Sequence, residues 1–240
     1  CKIISFLILI NNKICLIKKI KIIDLNNLFL GKYIFINSHF LLRRFIWYSK
    51  IDKKVLQKYS YIILSDCRDV IFQSDPFEIF KNRKEFLISG SEPELINNNK
   101  VNKKWLLEAY EKNYSIYSKL EDYPIICAGV TFGSIQMVSG YLEKMRIEIK
   151  NYIITNKKAS ITNLDQIFHN KIFAFQNNDA ITIDKTNKFI STLGFTRKFD
   201  IKIDNAAKKI IVNGNIPSII HQYDRDKSLS STILSWFYKL

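Results

Sequence analysis

Short runs of branched and aromatic residues alternate along this chain with longer stretches in which apolar positions recur at helical spacing. Residues 3–10 and 14–23 read as strands, the second also fitting a short helix, and 33–36 as another short extended piece. From 39 to 56 the apolar residues Phe40, Leu41, Ile46, Trp47, Ile51 and Val55 predict a helix that carries Arg43 and Arg44. Tyr61 to Leu64 is a buried strand. A short helix is expected at 76–80, with Asp75 as N-cap, Pro76 at the first helical position and Glu78 completing a capping box. A strand at 86–89 follows, then a polar loop from Glu92 to about Asn102 and an amphipathic helix at 103–117. Residues 124–133 form a strand interrupted by Gly129, and 136–154 a long helix on Met137, Val138, Tyr141, Leu142, Met145 and Ile149. A helix opens at 163–170. Strands are expected at 173–176, 180–183, 210–212 and 218–220, and a closing helix at 230–240.

Strands alternating with helices predict an α/β sheet. With 240 residues, 47% hydrophobic, and few glycines and prolines, a single domain over 1–240 is expected. The chain begins at Cys1, so further residues are expected ahead of it. The run at 3–10 is too short to span a bilayer and is followed by no small-residue cleavage site.

The net charge of +15 suggests an anionic partner, but the lysines are scattered and form no basic stripe. Lys, Ile and Asn dominate even in loops, so compositional bias explains most of the excess. Nucleic acid is therefore not expected as a partner, whereas peripheral contact with an anionic membrane fits the charge. Cys1, Cys15, Cys67 and Cys127 form no CxxC pair, which argues against a zinc site and for a reducing, cytoplasmic setting.

The chemistry concentrates where the strand at 61–64 ends. Asp66, Arg68 and Asp69 stand on the turn beyond it, at the kind of sheet edge where α/β proteins bind ligands. Two carboxylates there can hold a hard divalent cation, and that cation can hold a diphosphate. The alternative is a surface turn paired internally with Arg68. His221 also follows a β run, flanked by Gln222, Tyr223, Asp224 and Arg225, and suits a third ligand for a cation such as Mn²⁺. Asp165 and Gln166 open a helix. Asp165 can serve as base, nucleophile or cation stabiliser at a sugar carbon, or simply as a first-turn acid favoured by the helix dipole. His169, four residues on, shares its face and is read as an orienting or structural partner. Of the adjacent Arg43 and Arg44, one can reach a phosphate by bidentate hydrogen bonds, and since the two cannot point the same way at least one is read as structural. Gly129 suggests close backbone approach to a bound group.

These residues fall into blocks. Ser65-Asp66-Cys67-Arg68-Asp69-Val70-Ile71-Phe72-Gln73-Ser74-Asp75-Pro76-Phe77 comes first, then Ala128-Gly129-Val130-Thr131-Phe132-Gly133, Leu164-Asp165-Gln166 with Asn170, Thr192-Leu193-Gly194, and His221-Gln222-Tyr223-Asp224-Arg225. In this order they resemble the GT-A glycosyltransferases, over residues 40–226. The resemblance implies a Rossmann-like, mixed but mostly parallel sheet flanked by helices. It implies a nucleotide-diphospho-sugar donor, a UDP-sugar foremost, Mn²⁺ or Mg²⁺, and a glycan or lipid-linked acceptor. Asp66, Asp69 and His221 would be the metal ligands. Arg43, Asp66, Arg68 and Gly129 would line the donor site, with Asp165 and Gln166 at the reacting sugar. The common acidic motif is Asp-x-Asp, and Arg68 stands at its third position. Either Asp69 supplies the second carboxylate or Arg68 pairs with the diphosphate. Two other classes stay open: a metal-dependent phosphohydrolase or nuclease, which would need a second acidic cluster, and a non-catalytic nucleotide-sugar-binding domain.

Overall fold

The computed structural model describes residues 7–10, 13–16, 38–51, 53–156, 164–176, 178–194 and 199–237. It is mixed α/β. The strands are β1 (Leu7–Ile10), β2 (Lys13–Leu16), β3 (Tyr61–Ser65), β4 (Val70–Phe72), β5 (Leu87–Leu95) and β6 (Pro124–Ser134). They continue with β7 (Ile181–Asp184), β8 (Ile190–Thr192), β9 (Ile201–Asp204), β10 (Lys209–Val212) and β11 (Ile219–His221). The helices are α1 (Phe40–Tyr48), α2 (Lys53–Leu56), α3 (Lys100–Tyr110), α4 (Tyr114–Glu121), α5 (Ile135–Asn156), α6 (Asp165–Ala174) and α7 (Lys227–Phe237). The extended piece expected at 33–36, like 3–6 and 17–23, lies outside the described residues. None of the helices among the described residues is long and apolar enough to cross a membrane.

The main sheet has the order β2-β1-β3-β6-β5-β7. Here β3, β5 and β7 share one direction, and β6 runs against them from between β3 and β5. Strand β1 is also antiparallel to β3, so the one parallel pair of neighbours described in this sheet is β5 with β7. The mostly parallel sheet implied by the resemblance is thus corrected to mostly antiparallel pairing. The physical reason lies in β6. Nearly every residue of it is buried, and a near-continuous apolar run covered on both faces is the pattern of a parallel strand, although β6 pairs antiparallel with both its neighbours.

Side-chain alternation builds the layers. Ile62, Leu64 and Leu87 face a core shared with α1, α3, α5 and α6, whereas Ile63, Phe86 and Ile88 face a second, aromatic core. That second core is closed by a small sheet of order β4-β11-β8, in which Ile219 points inward. Its neighbour Ile220 points the other way, into a third cluster with Leu193, Ile210, Val212, Leu229 and Ile233, beneath the β9–β10 hairpin and α7. Gln73 pins hairpin to sheet, with its Oε1 accepting from Ile210 N at 2.6 Å and its Nε2 donating to Ile210 O at 3.0 Å.

Several expected elements change at their ends. The helix expected over 39–56 divides into α1 and α2, because the Ser49 hydroxyl donates back to Ile46 O at 2.9 Å and closes α1. The helix expected at 103–117 divides into α3 and α4. Asn99 caps α3 by accepting from Val101 N and Asn102 N, and Asn113 caps α4 by accepting from Ile116 N. Both caps sit in a chain so rich in asparagine that they do not stand out. At 76–80 there is only a 3₁₀ turn, Glu78–Phe80, where Glu78 pairs with Lys81 at 2.5 Å and closes no capping box. Residues 173 and 174 end α6 and form no strand, since Phe173 buries itself against Tyr141 and His169. Strands β4, β8 and β9 are not among the expected elements.

Candidate metal centre

The site is built on a bulge in β6. Ser89 pairs with Thr131 and Ser91 with Ile126, so β5 advances two positions while β6 advances five. The displaced residues, 127–130, are held from every side. The Ser89 hydroxyl bridges the ends of the bulge, 3.0 Å from Cys127 O and 2.9 Å from Val130 O. Asp66 N donates to Gly129 O at 2.8 Å. Ala128 N donates to Gln166 Oε1 at 3.0 Å. Asn170 grips Ile126 through both its backbone groups, at 2.8 and 3.0 Å. The bulge presses Gly129 against the site: a Cβ there would lie 2.2 Å from His221 Cε1 and 2.9 Å from Asp66 Oδ2. Gly129 is therefore a space-maker for the ligand set.

Over this floor Asp66, Asp69 and His221 converge, each offering one ligand atom, and all three atoms lie within 4.8 Å of one another. Among the described residues no other metal-ligand group of this kind forms. Strand β4 explains the convergence, because Val70, next to Asp69, pairs with His221 of β11. The ring of His221 is 1% exposed. Its Nδ1 lies 3.5 Å from Cys127 Sγ, while Nε2 has no hydrogen-bond partner and faces Asp66 Oδ2 at 3.6 Å and Asp69 Oδ1 at 3.8 Å. Burial pushes the Asp66 carboxyl up, but the neighbouring His221 and Arg44 outweigh it and hold Asp66 below the usual carboxylate range. A buried imidazole nitrogen without a partner, facing two carboxylates, fits a borderline or hard divalent cation. The residue after His221, Gln222, has φ 58°, and its N–H donates to Asp69 O at 2.8 Å. This left-handed kink turns the chain across the acidic turn. Gly194 makes room for its side chain, since a Cβ there would fall 2.1 Å from Gln222 Oε1.

Arg44 is the organising cation. It is buried on α1, with Nη1 paired to Asp66 and Nη2 to Asp165 Oδ2 at 2.7 Å. Burial opposes its charge, but Asp165 and Asp66 more than compensate, so its pKa is raised. Arg43, expected as the phosphate contact, donates from Nε to Ser38 O at 3.0 Å. Arg44 is the member of the pair that enters the cluster. Arg68 is exposed at the rim, 3.2 Å from Asp224 Oδ2 and 3.7 Å from Asp69 Oδ2. Asp165 and Gln166 both reach the site, Asp165 through Arg44 and Gln166 through Ala128. The sequence reading missed Glu92. It is buried, with Oε1 3.5 Å from Gln166 Nε2, and burial raises its pKa. The signal was the one used for Asp66, an acid beyond the end of a strand, but β5 runs six residues further than expected.

His169 is structural. Tyr141 Oη lies 2.8 Å from its Nδ1 and Ser89 Oγ 3.2 Å from its Nε2. Burial, aided by Arg44, drives its pKa down to about 3. The folded chain thus refuses a proton that the unfolded chain takes up below about pH 6.5. The stability tied to this group is complete above that pH and is lost as pH falls from about 6.5 towards 3, by up to about 1.4 kcal/mol per unit. In urea unfolding at pH 7 and pH 5, His169→Gln should reduce the stability difference between the two pH values by up to about 2 kcal/mol. An unchanged difference would show that the imidazole titrates normally.

A cleft of about 410 Å³ lies elsewhere, lined by Tyr110, Glu148, Tyr152, Phe168 and Lys171. Its Glu148 is already satisfied by Tyr110 and Lys171, at 2.9 and 2.6 Å. No family model matches the chain, and no curated protein matches it in sequence.

Proposed function

We propose that this chain is a divalent-cation-dependent glycosyltransferase that moves a sugar from a nucleotide-diphospho-sugar, a UDP-sugar foremost, to an acceptor hydroxyl on a glycan or lipid-linked saccharide. The observation that carries this reading is the convergence of Asp66, Asp69 and the unpartnered Nε2 of His221 at a sheet edge. These three side chains would hold Mn²⁺ or Mg²⁺, which when bound neutralises charge on a diphosphate leaving group. The protein's own groups do the rest. Arg44 fixes the Asp66 carboxylate, and through Asp165 fixes the start of α6. Arg68, exposed at the rim, is free in space to meet a phosphate oxygen while its partners Asp69 and Asp224 orient it. Gln166, anchored on the bulge beside Gly129, is placed to meet the sugar.

The phosphohydrolase or nuclease reading has less support, because a two-metal mechanism needs a second acidic cluster and none is found among the described residues. The non-catalytic reading differs from ours only in turnover. Metal-dependent hydrolysis or transfer from a panel of UDP-sugars separates them.

The direct test is thermal unfolding with UDP and GDP, each with and without Mn²⁺. One nucleotide with Mn²⁺ should raise stability by about 2.7 kcal/mol at a hundredfold excess over its dissociation constant. Asp69→Asn should remove that gain while leaving both Arg44 ion pairs in place. No gain with any nucleotide would overturn the reading.

A further inference from the structure

Transfer to a hydroxyl requires that the hydroxyl lose its proton. Given the transferase reading above, on which this inference rests, the chain must place a proton acceptor near the sugar. Asp165 is badly suited to that task. Its Oδ2 is locked at 2.7 Å on the buried guanidinium of Arg44, so protonating it would cost one of the two ion pairs that satisfy this cation. Asp66 shares the same guanidinium, and Asp66 and Asp69 together face His221 as ligands.

Glu92 is placed differently. It follows Ser91, which pairs with Ile126 at the near end of the bulge, so it sits on the β5 side of the floor whereas Asp66 sits on the β3 side. It is 9% exposed. Its carboxylate meets the amide of Gln166 at 3.5 Å, and no cation of the described residues lies within ion-pair distance of it. The titratable groups around it are Cys127 and His221 from the floor and far wall, and Glu94 on its own strand. Of the four acids around this floor, it alone is neither paired with Arg44 nor a member of the ligand set, and burial, outweighing the opposing pull of Cys127 and His221, makes it a stronger proton acceptor than an ordinary surface carboxylate.

We propose that Glu92 is the general base of the transfer, which then proceeds with inversion at the anomeric carbon. The acceptor oxygen forms its bond to that carbon as the bond from the carbon to the diphosphate oxygen breaks. The leaving nucleoside diphosphate keeps the electron pair, and the hydroxyl proton passes to a Glu92 carboxylate oxygen and from there to solvent. Gln166 Nε2 orients the carboxylate from the floor.

The test uses the full chain with Mn²⁺ and a panel of UDP-sugars, reading UDP release with water or a saccharide as acceptor. Glu92→Gln should bind UDP with Mn²⁺ within about twofold of the wild type by calorimetry, yet turn over 10²- to 10⁴-fold more slowly, the order expected for loss of a general base. Glu92→Ala should regain at least roughly tenfold of its activity on addition of formate, a small external base that fits the vacated volume. Turnover by Glu92→Gln within tenfold of wild type, or retention of anomeric configuration in the product, would overturn the proposal. So would a wild type that binds UDP with Mn²⁺ but turns over no sugar, since a poised base also activates water. A wild type that fails to bind UDP with Mn²⁺ at all overturns the donor-site reading instead, and the base falls with it.

Discussion

Arg44→Met is expected to lower the free energy of unfolding by about 3–5 kcal/mol, the cost typical of removing one partner from a buried ion pair. The hydrophobic environment does not make the substitution mild. Methionine fills much of the volume between Phe45, Ala128 and Ser65, but it leaves Asp165 buried with its cation gone. The Asp66 carboxylate loses its anchor in the same step. Arg44→Lys should recover only part of the loss, because one ammonium cannot reproduce two guanidinium nitrogens aimed at two carboxylates. Urea unfolding at pH 7 measures the difference. If the loss for Arg44→Met stays below about 1 kcal/mol, the value typical of an exposed pair, then the Arg44 bridge does not hold the site together.

Gly129→Ala is expected to abolish the gain in stability from Mn²⁺ with nucleotide while leaving most of the fold in place. The added methyl would fall 2.2 Å from His221 Cε1 and 2.5 Å from its Nε2. Neither side can yield easily: the glycine is held by Asp66 N on its carbonyl, and the ring is 1% exposed. The imidazole must leave its position, and the ligand set loses its nitrogen. The overpacking should cost about 1–3 kcal/mol in the absence of ligand. A variant that still responds to Mn²⁺ with nucleotide as the wild type does would mean that His221 is not a ligand. Gly140, on α5, is a control, since a Cβ there meets nothing within 4 Å.

Much of the site was legible because polar residues at the ends of buried runs are costly unless they serve something. That signal marked Asp66, Asp69 and His221, and the structure brings all three together. That Arg44 and not Arg43 enters the acidic cluster was not legible, for a geometric reason. The apolar stripe read along α1 was Phe40, Leu41, Ile46 and Trp47, whereas the buried face is Leu42, Phe45, Ile46 and Tyr48, with Phe40 exposed. In a helix with apolar residues on nearly every side, spacing does not fix the phase, and a shift of one residue exchanges one arginine for the other. Glu92 was hidden by a strand that outlasts its apolar run. The bulge at 127–130 was signalled only by Gly129, because its pinning groups, Ser89, Gln166 and Asn170, come from elements whose mutual placement no local pattern encodes. Strand direction in the main sheet was illegible because side-chain patterning reports buried faces and not direction, and β6, covered on both faces, has the run of a parallel strand.

The pairing of β4 with β11 also bears on how the chain comes to be folded. The hydroxyl of Tyr223 donates to Arg68 O across 155 positions of sequence, and the antiparallel register of β4 and β11 spans a comparable distance. At ribosomal speeds of about 5–20 residues per second, roughly 8–30 s separate the synthesis of the acidic turn from that of its partner strand. Throughout that interval β4 has no partner on its β11 side, and the turn that carries Asp66 and Asp69 has nothing to close against. The nascent chain thus carries a strand edge and an incomplete ligand set together, and both are resolved by the same late event, the docking of β11.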